Sequence, residues 1–303
     1  MTTTSTGPRR VPQPLRSPPA FVALPGWGQQ PAHFDRHVFA AVLAAVPGAR
    51  VEVVGSYGPD LWSIHRMAQY VLRVLLPRLP RATPKILVGY SMGGFIADAI
   101  LRDPEAVAAG VVGVVFISTA NTATKHLLQP SIRAYVAAAL SHLLTKPGED
   151  PSGAFEEGVG GCHPTDDDDG DHDCMDALAG LQSMHTLDRA VMDKAKTLES
   201  MKDLMAQRLA WKQQAMAILV WILLEPAEAG PRPQLPVLVI HGTMDRLVPP
   251  ASARGLCDHY APHGGASLHV VPGIGHKLLA ARREDIGAAL LRWVQANFVV
   301  ASG

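Results

Sequence analysis

Short apolar segments rich in valine and isoleucine alternate along much of this chain with longer segments whose apolar residues recur at helical spacing. Short apolar runs separated by helical patterns are typical of βαβ units, in which the strands lie parallel. Strand character is found at Phe21–Leu24, Val51–Val54, Lys85–Val88, Val112–Ile117, Pro236–Ile240 and Ser267–Val271, and helical character at Phe34–Ala45, Leu61–Leu76, Met92–Arg102, Ala251–His259 and Glu284–Phe298. The alternation predicts an α/β fold built on a parallel sheet.

The alternation stops near Asn121 and resumes near Pro236. Residues 121–235 have instead the pattern of helices and loops. A helical block between two halves of an α/β sheet indicates a cap or lid over the carboxyl ends of the strands, where the ligands and catalytic groups of such sheets gather. We therefore expect an α/β core formed by residues 21–120 and 236–303, with residues 121–235 as a helical cap.

The composition excludes several classes of protein. The chain has 303 residues, with 27 basic and 27 acidic side chains, and this balance argues against a nucleic-acid partner. Three cysteines are an odd number and too few for a disulfide framework, which favours a reducing compartment. The strongest uncharged apolar runs, Ala106–Ile117 and Ala215–Leu224, are shorter than the roughly 20 residues that cross a bilayer, so we expect a soluble protein without a transmembrane segment.

The first 20 residues contain three arginines, five prolines and no acidic side chain. Proline at this density prevents a regular helix, so residues 1–20 are predicted to be a disordered tail. The tail also lacks the apolar run of a signal peptide. We expect a cytoplasmic protein, and the alternative is an organelle to which the tail would direct the chain as a transit peptide.

The string Gly89-Tyr90-Ser91-Met92-Gly93-Gly94 directly follows one predicted strand and directly precedes a predicted helix. A serine on such a turn has a strained backbone, and flanking glycines allow the close backbone approach that the turn demands. The Ser91 hydroxyl would project from the edge of the sheet. The backbone N–H of Met92 would lie at a helix N-terminus and face a developing oxyanion. This context predicts that Ser91 is a nucleophile.

With this motif the sequence resembles the α/β-hydrolase fold family, in which the triad follows the chain order serine, acid, histidine. His241-Gly242-Thr243-Met244-Asp245, after one predicted strand, is similar to the family's acid loop, and Pro272-Gly273-Ile274-Gly275-His276, after the last, is similar to its histidine loop. The resemblance implies a mostly parallel, doubly wound sheet with helices on both faces and a helical cap insertion. It implies Ser91, Asp245 and His276 as catalytic residues, whereas His241 is expected to pack.

The string Leu24-Pro25-Gly26-Trp27-Gly28 follows the first predicted strand. In the family this position carries the second backbone donor of the oxyanion hole, which the resemblance assigns to Trp27, beside Met92. Proline at position 25 replaces a histidine that is common in the family. The backbone donor is unaffected by this replacement, but a side chain that often braces the loop is missing.

The resemblance implies a serine hydrolase that acts on a small-molecule carboxylic ester or thioester. His276 would act as base and acid, and Asp245 would hold its tautomer, so no cofactor is expected. A serine at position 91 excludes the aspartate nucleophile of dehalogenases and epoxide hydrolases. A C–C bond hydrolase, an acyltransferase and a ligand receptor with slow turnover remain as alternatives on the same triad, and the oligomeric state stays open.

The predicted cap is rich in methionine and also contains two tryptophans. These side chains either form the core of the cap or line an adaptable apolar pocket, which would favour an apolar acyl chain over a sugar or a peptide. The residues concerned are Met175, Met184, Met192, Met201, Met205, Met216, Trp211 and Trp221. Met205, Trp211 and Met216 are the candidate substrate contacts.

Residues 162–174 include six aspartates and are typical of a solvated, mobile acidic loop. A calcium loop centred on Gly170 would begin at Thr165 and end at Asp176, which fits poorly. Zinc-ligand side chains occur at irregular spacing, at Cys162, His163, His172 and Cys174. A Cys162–Cys174 disulfide would need an oxidising compartment. No metal site is predicted.

Overall fold

The computed structural model describes residues 3–6, 11–27, 34, 36–58, 60–121, 124–125, 210, 213–218, 220–222 and 232–300. Most of the predicted cap, residues 121–235, lies outside these described residues. The whole acidic loop at 162–174 lies outside them as well, together with its two cysteines. The cap and its loop therefore stay predictions, and the structure bears on the α/β core.

The described residues form nine strands, and seven α-helices lie in the described residues outside 121–235. The strands are β1 (Thr3–Thr6), β2 (Gln13–Leu15), β3 (Ala20–Leu24), β4 (Arg50–Val53), β5 (Lys85–Tyr90), β6 (Val111–Ile117), β7 (Val237–Gly242), β8 (Ala266–Val271) and β9 (Phe298–Val300). The helices are α1 (Arg36–Ala45), α2 (Ile64–Tyr70), α3 (Met92–Leu101), α4 (Glu105–Ala108), α5 (Pro250–Tyr260), α6 (Leu278–Ala281) and α7 (Arg283–Asn297). All six strands expected from the sequence are present. None of the helices in this part of the chain is both long and apolar enough to cross a membrane.

The main sheet has the strand order β1-β8-β7-β6-β5-β3-β4. The six strands from β8 to β4 are parallel, and β1 is antiparallel to β8. The α/β fold with a mostly parallel sheet is thus confirmed. The pairing of β6 with β7 joins Val114–Ile117 to Val237–Ile240, so the two halves of the chain form one continuous sheet.

Each face of the sheet packs against its own helices because successive strand side chains point to opposite faces. On β3, Val22 and Leu24 belong to the core that includes α2, α3 and α5. Phe21 and Ala23 of the same strand belong to the core that includes α1 and α7. The helices therefore cover both faces, as expected. All five residues of β3 are buried, which explains why the strand is a continuous apolar run.

Two described segments of the predicted disordered tail, Thr3–Thr6 and Gln13–Leu15, form strands instead. β1 pairs with Ala266–His269 of β8, and β2 pairs in parallel with β9, with Leu15 only 3% exposed. A strand at the edge of a sheet offers unpaired backbone donors and acceptors, and the threonine-rich segment that pairs with it has high strand propensity. β2 is an edge strand, because the described sheet that it forms with β9 has only these two strands. Pro14 is tolerated there, since an edge strand does not need a backbone N–H donor on its unpaired side.

Candidate active site

Ser91 is the single residue between β5 and α3, and its backbone is strained. Its φ of 51° and ψ of −120° lie in a region that costs a residue other than glycine about 1–3 kcal/mol. Hydrogen bonds hold this conformation, because Ser91 N donates to Ile117 O at 3.0 Å and Gly94 N donates to Ser91 O at 2.8 Å. The sharp turn at the carboxyl end of β5 directs the side chain away from the sheet.

Glycines allow the loop after β3 to pack closely against this turn. A Cβ added to Gly93 would overlap the carbonyl oxygen of Leu24, and a Cβ on Gly26 would lie 3.1 Å from Ser91 Cβ. Trp27, the next residue of this loop, packs partly buried against the core. The main chain of the loop therefore passes beside Ser91, on the side of the first turn of α3 that begins at Met92.

Of the three side chains predicted as a triad, His276 lies between the other two and within hydrogen-bonding distance of both. His276 Nε2 is 3.0 Å from Ser91 Oγ, and His276 Nδ1 is 2.9 Å from Asp245 Oδ2. They follow β5, β7 and β8, whose carboxyl ends meet at one edge because the strands are parallel. The hydroxyl, imidazole and carboxylate thus form a continuous chain of hydrogen bonds.

Asp245 is 1% exposed and has polar partners on both carboxylate oxygens. Oδ1 accepts a hydrogen bond from Val248 N at 2.8 Å, and Oδ2 faces His276. Burial opposes ionisation, but the interactions with His276, His241 and Val248 N outweigh burial and hold the pKa of Asp245 below its usual value. Because the ionised carboxylate can only accept hydrogen bonds, the network assigns the ring proton of His276 to Nδ1, and Nε2 can then accept the Ser91 proton.

His241 contacts the loop that carries Asp245. Its Nε2 lies 2.8 Å from Val248 O and 3.5 Å from Asp245 Oδ2. Burial lowers the pKa of His241, so the neutral ring donates its Nε2–H to the Val248 carbonyl. The sequence predicted a packing role, and the structure adds a polar contact with the loop that holds Asp245.

Two tyrosines that the sequence did not single out hold the site loops. The Tyr90 hydroxyl donates to His276 O at 2.6 Å, and its ring lies 5.5 Å from the imidazole. The Tyr57 hydroxyl donates to Pro25 O at 2.6 Å, and its burial raises the pKa of this phenol well above the usual value. Tyr57 therefore braces the loop in which proline replaces the common histidine. Tyr90 could have been found from its place beside Ser91, whereas no sequence signal marked Tyr57.

Of the candidate substrate contacts, Met205 and Trp211 lie outside the described residues. Met216 lies in the helical residues 213–218 and is partly exposed. Trp221 is 1% exposed and stacks on Phe95 of α3, with ring centroids 4.2 Å apart and an interplanar angle of 13°. This stacking places at least one tryptophan of the predicted cap in the protein core, against the helix that begins after Ser91.

The chain resembles known proteins in sequence pattern and in fold. The family described as serine aminopeptidase, S33, matches residues 65–283, and no curated protein sequence matches significantly. Among solved structures, an esterase (EaEST) from Exiguobacterium antarcticum has 17% identity and a TM-score of 0.53 over 97% of this chain and 94% of that chain. The RedJ thioesterase of the prodiginine pathway in Streptomyces coelicolor has 15% identity and a TM-score of 0.53, with 95% of each chain covered. At these identities the solved structures establish the shared fold.

Proposed function

The chain belongs to the serine aminopeptidase S33 family of α/β-hydrolases, and we propose that it is a serine hydrolase that cleaves a carboxylic ester or thioester with a largely apolar acyl group. The proposal rests on one observation, the chain of hydrogen bonds from Ser91 Oγ through His276 to Asp245. A serine hydroxyl is a weak nucleophile at neutral pH, and this arrangement supplies the base that it needs.

In the acylation step, His276 Nε2 takes the proton of Ser91 while Oγ forms a bond to the carbonyl carbon. The carbonyl electron pair moves to oxygen, and the resulting oxyanion accepts hydrogen bonds from the backbone N–H groups of Met92 and Trp27. Asp245 stabilises the imidazolium through Nδ1–H. When the carbonyl reforms, the bond to the leaving oxygen or sulfur breaks, and His276 gives its proton to the departing alcohol or thiol.

Deacylation repeats these steps with water. His276 removes a proton from the water, the hydroxide attacks the acyl carbon, and the Ser91 Oγ bond breaks as His276 returns the proton to the serine. The products are a carboxylic acid and the free enzyme. The residues of the chain supply the nucleophile, the base and the acid of this cycle.

The choice of substrate class draws on two features. Proteins named as an esterase and as a thioesterase share this fold, and both ester and thioester carbonyls react through the cycle above. The apolar acyl group is supported by the methionines of the predicted cap and by Trp211, because thioether side chains adapt to apolar ligands of varied shape.

The test is turnover of a chain-length series of acyl esters and acyl thioesters by the wild-type protein and by Ser91→Ala. We expect Ser91→Ala to lower kcat by about 10⁶, the scale seen when a serine triad acts as a unit. Ser56→Ala, a change at an exposed serine, is the matched control and should leave kcat unchanged. A fluorophosphonate should label the wild type and not Ser91→Ala. Full activity of Ser91→Ala would contradict the assignment of Ser91 as the nucleophile. Turnover confined to small polar esters would contradict the proposed apolar acyl group.

A further inference from the structure

We infer that Thr119 is a positioning residue for the oxyanion donor at Met92, an inference that rests on the proposed serine-hydrolase function. The Thr119 hydroxyl donates a hydrogen bond to Ser91 O at 2.7 Å. This carbonyl belongs to the peptide group whose other end is the N–H of Met92. Thr119 therefore acts on the oxyanion donor through the peptide group and does not touch the substrate.

The chain after β6 is shaped to place Thr119 at this point. Ser118 has a φ of 44°, and its N–H donates to Ile240 O at 3.0 Å, so the backbone turns sharply where β6 ends. Thr119 is 1% exposed. Its hydroxyl also lies 3.4 Å from Ala120 O, and the much shorter distance to Ser91 O identifies the acceptor of its single proton.

The second glycine after Met92 makes room for this contact. A Cβ on Gly94 would overlap both Oγ1 and Cγ2 of Thr119. Gly94 also contributes its own N–H to Ser91 O at 2.8 Å. The carbonyl of the Ser91–Met92 peptide group thus accepts two hydrogen bonds, one from a side chain and one from the backbone.

Two hydrogen bonds on the carbonyl affect the N–H at the other end of the peptide group in two ways. They polarise the peptide group, which strengthens the N–H as a donor, because hydrogen bonds in a chain reinforce one another. They also fix the plane of the peptide, so the N–H keeps its direction while charge develops on the substrate oxygen. A donor held in advance costs no reorganisation during the reaction.

The test compares Thr119→Val, which keeps the shape but loses the hydroxyl, with Thr119→Ser, which keeps the hydroxyl. We expect Thr119→Val to lower kcat by about five- to tenfold, the effect of losing one hydrogen bond, with KM unchanged. An alkyl trifluoromethyl ketone, whose hemiketal adduct with Ser91 carries an oxyanion, should bind to Thr119→Val more weakly by the same factor. Thr119→Ser should stay within about twofold of the wild type, and the pH–rate profile should keep its shape in both variants.

The outcomes separate this inference from the proposed function. If the wild type neither hydrolyses acyl esters and thioesters nor reacts with a fluorophosphonate at Ser91, the proposed function fails and the inference fails with it. If the wild type is active and Thr119→Val keeps its kcat and its affinity for the ketone, only the inference is overturned. A parallel loss in Thr119→Ser, or a rise in KM without a fall in kcat, would also overturn it. If Thr119→Val does not fold, Thr119→Ser and Thr119→Ala differ only by the hydroxyl and give the same comparison.

Discussion

Replacing Asp245 by asparagine should reverse the two hydrogen bonds of the His276 ring, with residue 245 and with Ser91, without disturbing the packing of the site. The carboxylate now accepts Val248 N–H on Oδ1 at 2.8 Å and faces His276 Nδ1 with Oδ2 at 2.9 Å. An amide has one oxygen and one NH₂ group. Because Val248 N must keep an acceptor, the amide oxygen takes the Oδ1 position and the NH₂ group faces His276.

The NH₂ group can only donate, so His276 Nδ1 must become an acceptor and the ring proton moves to Nε2. That nitrogen lies 3.0 Å from Ser91 Oγ and can then no longer take the serine proton. The same tautomer change lowers kcat by about 10⁴ in a serine protease, which corresponds to about 5.4 kcal/mol at 1.36 kcal/mol for each factor of ten. We expect a loss of this size in Asp245→Asn. The melting temperature should change little, because both contacts of the side chain are retained.

The assay is kcat on the best acyl ester or thioester at neutral pH, beside circular dichroism to verify the fold. Asp258→Asn, a change at an exposed aspartate, is the control and should keep wild-type turnover. A decrease of less than about tenfold in a folded Asp245→Asn protein would contradict the tautomer argument, because a nearly active enzyme would need an unprotonated Nε2.

Three further predictions concern stability, with urea unfolding as the measurement. Gly93→Ala should lower the free energy of unfolding by about 1–3 kcal/mol, because its Cβ would overlap Leu24 O; a wild-type midpoint would contradict this packing. Arg232→Met should cost about 3 kcal/mol, the lower end for breaking a buried ion pair, because the fully buried Asp98 loses its 3.1 Å partner and keeps Arg102 at 3.8 Å and the Tyr260 hydroxyl. Adding Asp98→Asn should recover most of that loss, and a double variant no more stable than the single one would refute the charge argument. Burial lowers the pKa of His241 below its usual value of 6.5. His241 therefore binds a proton more readily in the unfolded chain than in the folded one. The free energy of unfolding should then decrease as the pH falls below about 6.5. His241→Gln should reduce this slope, and an unchanged slope would exclude His241 as its source.

The strands of the core were predictable because their burial on both faces leaves a direct mark in the sequence. β3, β5 and β7 are buried at every residue, so each contains a run of apolar residues that is followed by turn residues. The tail was harder, because β1 and β2 are held by pairing with distant strands. Their own residues are mostly polar and include one proline, and they predict disorder when considered alone.

The hydroxyl, imidazole and carboxylate of the site were predictable for a different reason. Ser91, Asp245 and His276 each follow a strand in a glycine-containing loop, and parallel strands bring such loops to one edge. Their supports were not predictable, because Tyr57 and Thr119 act through contacts with carbonyl oxygens that are distant in sequence. Nothing in the residues around a tyrosine or a threonine indicates which remote carbonyl it will meet.

The pairing of β6 with β7 also determines how strongly the stability of the sheet depends on the length of the segment that connects these two strands. Ile117 and Ile240 are register partners, and residues 118–236 form the connection between the end of β6 and the start of β7. The entropy of closing a loop grows only with the logarithm of its length, so doubling the inserted segment would cost about 0.6 kcal/mol. The junction can therefore accept inserts of very different length at little cost in entropy, provided that Thr119, Trp221 and Arg232, which contact the core, are retained. Exchange of residues 126–209, which belong to the predicted cap, should then alter what reaches Ser91 while the sheet that holds it stays folded.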